Sequence, residues 1–227
     1  MIKSKKIISI LLCGILSVAV IALGGCSDQT ATLDDRGVWT VSSPDGTITS
    51  TVAMNVDGEI CYTVKKGETE VVKKSSLGFT LKEEDLRVLT FDKVSSERIR
   101  GGYKNISGKH SKVSYDCNET TLTFKSWKFY LDVIMRAYDD GYAFRYGIRA
   151  IDGKSGTVTV LSENTEFSLP ENASLWTQPY KSISQDRDLF SYENPYVYRD
   201  VKNLAGEKLA MPVLYQVGQE NLYSLIT

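Results

Sequence analysis

RAYDDGYAFRYGIR, residues 136–149, decides the fold. Upstream of it, Phe129, Leu131, Val133 and Met135 alternate with Tyr130, Asp132, Ile134 and Arg136. Downstream, YAFRYGIRAI (142–151) alternates again. Period-two patterning on both sides of Asp139-Asp140-Gly141 predicts an antiparallel hairpin. Both faces of the first arm carry apolar residues, which predicts a central strand. Adjacent strand residues point to opposite faces, so Asp139 and Asp140 do not read as a catalytic pair. They read as turn formers, whose side chains bond local backbone and tolerate left-handed conformations. Arg136 and Arg145 sit one on each arm, and each is expected to pair across strands with an acidic neighbour rather than with a ligand.

The same pattern extends in both directions. VWTVSS (38–43), TITSTVAMNV (47–56), EICYTVKK (59–66) and EVVKKSSLGFTL (70–81) alternate between Asp45-Gly46, Asp57-Gly58 and Lys66-Gly67, turns that accept positive φ. They predict a meander, with Leu77, Phe79 and Leu81 on one face. Residues 82–112 are polar and irregular. They predict a loop-rich excursion with one strand at RVLTFDKV (87–94), and RGGYKNISGKH (100–110) reads as loop. KVSYDCNETTLTF (112–124) resumes the strands, GTVTVLSENTEFSLP (156–170) adds a short pair, and KLAMPVLYQVGQENLYSLIT (208–227) gives two more. Between them, residues 171–204 are aromatic, acidic and without clear alternation, the composition of loops that carry function. No amphipathic run of three helical turns occurs. The fold class is therefore all-β, a large antiparallel β-sandwich.

The first 26 residues stand apart. MIKSKK is basic, and Ile7–Leu23 is an apolar run of 17 residues, at the short limit for spanning a bilayer. LGGC (23–26) follows. This is the pattern of a signal peptide, and its small-small-Cys ending resembles a bacterial lipobox. The expected organisation is a signal peptide over 1–25, a lipid-anchored tether over 26–37 with Cys26 lipidated, and a β-sandwich over 38–227. The expected location is extracytoplasmic, on the membrane through the lipid. Cys61 and Cys117 read as buried hydrophobes rather than a bridge. No paired His/Cys spacing supports zinc. The single histidine, His110, lies in a polar loop, which disfavours Ser-His-Asp catalysis. A net charge of −1 and pI near 6.0 argue against a nucleic-acid partner.

MRAYDDGYAFRYGI resembles the hairpin signature of the N-terminal domain of glycoside hydrolase family 97. Other stretches match that domain in order: SPDG with its two strands and Lys-Gly turn, TEFSLPENASLWTQPY (165–180), FSYENPY (190–196) and ENLYSLIT (220–227). The resemblance runs from about residue 39 to 227 and implies a supersandwich-like fold. SERIRGGYKNISGKHSKVSYDCNET (96–120) keeps only traces of the family's Trp- and Gly-containing loop. Full-length members are exo-acting α-glucosidases or α-galactosidases whose catalytic carboxylates lie on a (β/α)8 barrel expected just beyond residue 227. The resemblance therefore implies no catalytic residue here and no activity without the barrel. It implies calcium in the intact enzyme, with Glu193 of SYENPY as the ligand this domain lends to the barrel's carboxylates. Calcium takes six to eight oxygens, so the chain alone is not expected to hold it. Trp176 and Tyr180 are candidates for contact with an α-linked oligosaccharide, or for packing against the barrel. The main reading is a non-catalytic domain that braces the barrel and completes its carbohydrate and calcium pocket. The alternative is a stand-alone surface lipoprotein that binds carbohydrate.

Overall fold

A computed structural model describes residues 32–34, 37–179, 195–204, 206–218 and 221–227. The meander is present. β1 (Thr32–Asp34), β2 (Val38–Ser42), β3 (Ile48–Met54), β4 (Ile60–Lys66) and β5 (Thr69–Ser76) form one antiparallel sheet in chain order. β1 lies within residues 26–37 and pairs with β2. Alternation places Trp39, Val41, Ile48, Val52, Ile60, Tyr62 and Val64 on one buried face. Each such side chain contributes roughly 1.5–3 kcal/mol by leaving water. The meander's turns use glycine as expected. At Gly58, φ is +80° and the backbone lies against Leu89, whose N–H donates to the Gly58 carbonyl at 2.8 Å.

The second sheet has the order β10-β9-β8-β7. It comprises β7 (Thr90–Lys104), β8 (Lys112–Lys125), β9 (Phe129–Tyr138) and β10 (Gly141–Ala150). β9 is central, and every second residue from Phe129 to Ala137 is buried, as its sequence demanded. Asp139 and Asp140 form the β9–β10 turn as expected, without adopting the left-handed conformation, since no described residue other than glycine has positive φ. The Asp139 carboxylate reaches out of the turn. Its Oδ1 accepts the Asp45 N–H at 2.9 Å and ties the two hairpin tips together. Arg136 donates to Glu119 Oε2 across the sheet at 2.6 Å, the expected acidic partner. Arg145 is exposed and has no ion pair among the described residues.

β7 corrects the loop expected over 100–110. It runs 15 residues and pairs with β8 as far as Lys104↔Lys112. Gly101 and Gly102, read as breakers, face Tyr115 and Ser114. A Cβ on Gly101 would sit 2.5 Å from the Tyr115 hydroxyl, so the missing side chain makes room for the ring across the pair. Only residues 105–111 form the connecting loop, and His110 is exposed on it. Cys61 and Cys117 are not bonded to one another, and Cys117 is fully buried.

Two short strands, β6 (Phe79–Leu81) and β11 (Val160–Glu163), pair with each other. After β11, residues 164–168 run along the free edge of β5. Asn164, Glu166 and Ser168 exchange backbone hydrogen bonds with Gly78, Ser76 and Lys73. The third sheet has the order β13-β12-β14-β15. Its strands are β12 (Ala173–Pro179), β13 (Val197–Asp200), β14 (Leu209–Val217) and β15 (Leu222–Ile226). A 3-10 turn at Val201–Asn203 follows β13.

The second and third sheets cover the same face of the first. Trp39 on β2 meets Phe124 of β8 edge-to-face at 5.6 Å, and Tyr62 on β4 packs against Phe144 of β10 at 5.4 Å. From the third sheet, buried Tyr215 donates to the Val71 carbonyl on β5 at 2.8 Å. Ala173, Leu175, Val213 and Val217 join the same core. The result is a two-layered antiparallel sandwich, the fold class read from the sequence.

Candidate functional site

The third sheet presents the aromatic surface. On β12, Ala173, Leu175 and Thr177 face inward and are buried, so Ser174, Trp176 and Gln178 face outward. The register aligns Tyr198 of β13 with Trp176, Trp176 with Leu214 of β14, and Leu214 with Leu225 of β15. One row of large apolar side chains thus crosses four strands on the outer face. Tyr198 is 55% exposed, Leu214 37% and Leu225 59%. The Trp176 indole lies 4.9 Å from the Tyr198 ring and 6.1 Å from that of Tyr223, which is 49% exposed. Such a surface is built for an apolar partner or the apolar face of a sugar.

Of the expected site residues, Trp176 is on this row. Tyr180, Glu193 and Cys26 lie outside the described residues. Sequence reading singled out Trp176 and the tyrosines near it in the chain but missed Tyr223, Leu214 and Leu225. These meet Trp176 only through strand register, which is not a local signal. Away from this row, Trp127 is 85% exposed on the turn between β8 and β9, whose backbone N–H groups at Trp127 and Lys128 are held by Glu84.

Two depressions lie among the described residues, the larger beside the row. The larger, of about 1020 Å³, lies between β10 and β15 over Tyr62, Val64, Val72 and Phe167. Burial pushes the Tyr146 hydroxyl there up to about 12, and those of Tyr62 and Tyr142 higher still, so all three stay protonated. The smaller, of about 490 Å³, is polar and includes Glu59, Glu163, Glu166, Lys74 and Arg87.

Glycoside cleavage needs two spaced carboxyl groups, one with a raised pKa. The carboxyl groups that shift all shift downward. The Ser43 hydroxyl and the Thr47 amide hold Asp45 at about 2. Arg98 and Arg100 hold Asp116 at about 2. Arg87 lowers Asp85, and the Lys154 amide lowers Asp152. At Asp132 burial pushes upward, but Arg149 and Thr123 together outweigh it. Among the described residues, no three His, Cys, Asp or Glu side chains converge to hold a metal.

The family model described as "Glycosyl-hydrolase 97 N-terminal" covers residues 41–227. The chain belongs to the glycosyl-hydrolase 97 N-terminal family. Within it, the chain is 26% identical over 187 residues to a probable retaining alpha-galactosidase of Streptomyces bingchenggensis (strain BCW-1), spanning 80% of this chain and 28% of that protein. It is similar in structure to a beta-arabinopyranosidase, with TM-score 0.73 and 28% identity over 82% of this chain and 30% of that one. A glycoside hydrolase family 97 enzyme from Pseudoalteromonas sp. strain K8, solved in complex with panose and with acarbose, shares the fold. There the TM-score is 0.68 at 24% identity, over 81% of this chain and 27% of that one. The family-97 N-terminal chain thus spans less than a third of the length of each of these relatives.

Proposed function

We propose that this chain is the non-catalytic N-terminal portion of a family 97 exo-α-glycosidase. It braces a (β/α)8 barrel and contributes to that barrel's carbohydrate and calcium pocket. The observation that carries this reading is the outer row Tyr198–Trp176–Leu214–Leu225 on a chain that matches the first family domain and less than a third of its relatives. Exposed apolar rows of this kind are costly on a free surface and are covered in an assembly. Glu193, from the segment joining β12 to β13, is the residue proposed to reach the barrel's calcium. Tyr180, just after β12, joins Trp176 as a proposed sugar or barrel contact. Cys26 is proposed as the lipid anchor that holds the assembly at an extracytoplasmic membrane face.

The row also favours a second reading, a lipoprotein that binds oligosaccharide unaided, because tilted rings on a flat sheet make a sugar platform. The first reading is tested by assaying the chain on aryl α-glucosides and α-galactosides, with and without calcium. No turnover is expected. Turnover above the uncatalysed rate overturns the assignment of all catalysis to the barrel.

A further inference from the structure

The β7–β8 hairpin outruns its sheet. β9 meets β8 only from the rung Cys117↔Tyr138 onward, whereas β7 stays paired with β8 as far as Lys104↔Lys112. Residues 112–116 thus lie in a two-stranded ribbon with β7, which at about 3.4 Å per residue projects roughly 17 Å before its loop begins. Residues 106–112 are all exposed, Ile106 completely, and Tyr103 on the adjoining arm is 55% exposed. Residues 99–116 carry Arg100, Lys104, Lys109 and Lys112 against Asp116 alone, a net charge of +3 on a chain whose total is −1. Asp116 is taken up by Arg98 and Arg100, at 2.8 and 3.0 Å, and Lys104, Lys109 and Lys112 stand exposed around the apex.

The N-terminal chain enters the fold from the same end. β1 is antiparallel to β2, so Thr32, opposite Thr40, points toward Ser42. The Ser42 carbonyl accepts from Asn118 Nδ2 at 2.8 Å, one residue from the rung where the ribbon leaves the sheet. The six steps of chain from Cys26 to Thr32 span at most about 20 Å. Anchorage at Cys26 therefore holds this end within about 20 Å of the bilayer, a gap that the ribbon and its loop cover. We propose that the β7–β8 tip is a second membrane contact, which docks on anionic phospholipid headgroups. Lys104, Lys109 and Lys112 sit among the phosphates, and Ile106 and Tyr103 enter the interface. Charge complementarity selects an anionic occupant, and the fully exposed Ile106 selects a bilayer over a soluble anion, which would leave that side chain in water. The carboxylates at this end, Asp45 and Asp139, lie at the ribbon's base, farther from the tip than the ~8 Å over which salt screens charge. The inference rests on the reading above only for the Cys26 anchor.

The test uses the full 227-residue chain on vesicles of phosphatidylglycerol or of phosphatidylcholine. Ile106→Trp places a reporter at the apex. Its quenching by brominated lipid is read after subtracting the parent chain, whose exposed Trp127 lies at the other end of β8. The apex should be quenched on phosphatidylglycerol and not on phosphatidylcholine, with the chain bound to both. Adding Lys104→Gln, Lys109→Gln and Lys112→Gln together should weaken apex docking by about a hundredfold, at about fivefold per lysine, with the chain still on the vesicle. These side chains are exposed, so the changes leave the sheet intact. A vesicle-bound chain with an unquenched apex overturns the tip contact and leaves the anchor standing. Equal quenching on both lipids overturns the choice of anionic headgroups. Release of the apex by micromolar glycerol phosphate gives the site to a free phosphate and overturns the lipid surface. Binding to phosphatidylglycerol alone, with the apex quenched, supports the tip and overturns the anchor. A chain that stays off both vesicles overturns anchor and tip together.

Discussion

Replacing Gly58 and Gly46 by alanine separates two costs that a turn glycine can hide. Both have positive φ, +80° at Gly58 and +74° at Gly46. Alanine in that region costs about 1–2 kcal/mol. At Gly46 an added Cβ meets nothing within 4 Å. At Gly58 it would lie 2.4 Å from the Leu89 carbonyl oxygen and 2.9 Å from the Leu89 nitrogen. The two connecting segments cannot keep that approach. The Leu89 N–H bond to the Gly58 carbonyl, 2.8 Å long, breaks or stretches at about 1 kcal/mol, and buried Leu89 loses part of its packing. Gly46→Ala should therefore destabilise by about 1–2 kcal/mol and Gly58→Ala by about 3–4 kcal/mol. At about 2–4 °C per kcal/mol for a domain of this size, the melting temperatures should fall by about 2–8 °C and about 6–16 °C. Thermal unfolding followed by circular dichroism measures both. Equal losses would refute the close approach of residue 58 to Leu89.

The hairpin arginines make a second contrast. Arg136→Ala leaves the nearly buried Glu119 without its partner and should cost about 1–2 kcal/mol, while Arg145→Ala should stay within about 0.5 kcal/mol; urea titrations compare them. Tyr215→Phe removes the buried donor to the Val71 carbonyl and should cost about 1 kcal/mol by the same assay. Stability should also fall steeply with acid. Asp45 and Asp116 titrate at about 2 in the fold against an ordinary 3.8, so the unfolded chain takes up protons first. Their stabilisation is present above pH 4 and lost as pH drops toward 2. Melting temperature against pH reads this, and Asp116→Asn should flatten the curve.

Local patterning made most of the fold legible. Alternation in 129–151 fixed β9 and β10, including β9 as the central strand, and glycine turns fixed the meander. What failed did so for a non-local reason. Gly101 and Gly102 looked like breakers because the ring that occupies their space, Tyr115, comes from the facing strand. Asp139 does sit in the turn, but its carboxylate looked like an acceptor for local backbone because its partner, the Asp45 amide, is 94 residues away. The same limit applied to the aromatic row. Trp176 was visible from composition, but its alignment with Tyr198, Leu214 and Leu225 depends on the register of three strand pairs.

Calorimetric titration of the chain with maltose, maltotriose, melibiose and calcium tests the central claim most directly. A domain whose sugar and calcium pocket is completed by a barrel should give no saturable heat at millimolar ligand. Saturable sugar binding that is lost in Trp176→Ala and kept in Trp127→Ala would contradict the claim, and would make the outer row of the third sheet a carbohydrate-binding surface in its own right.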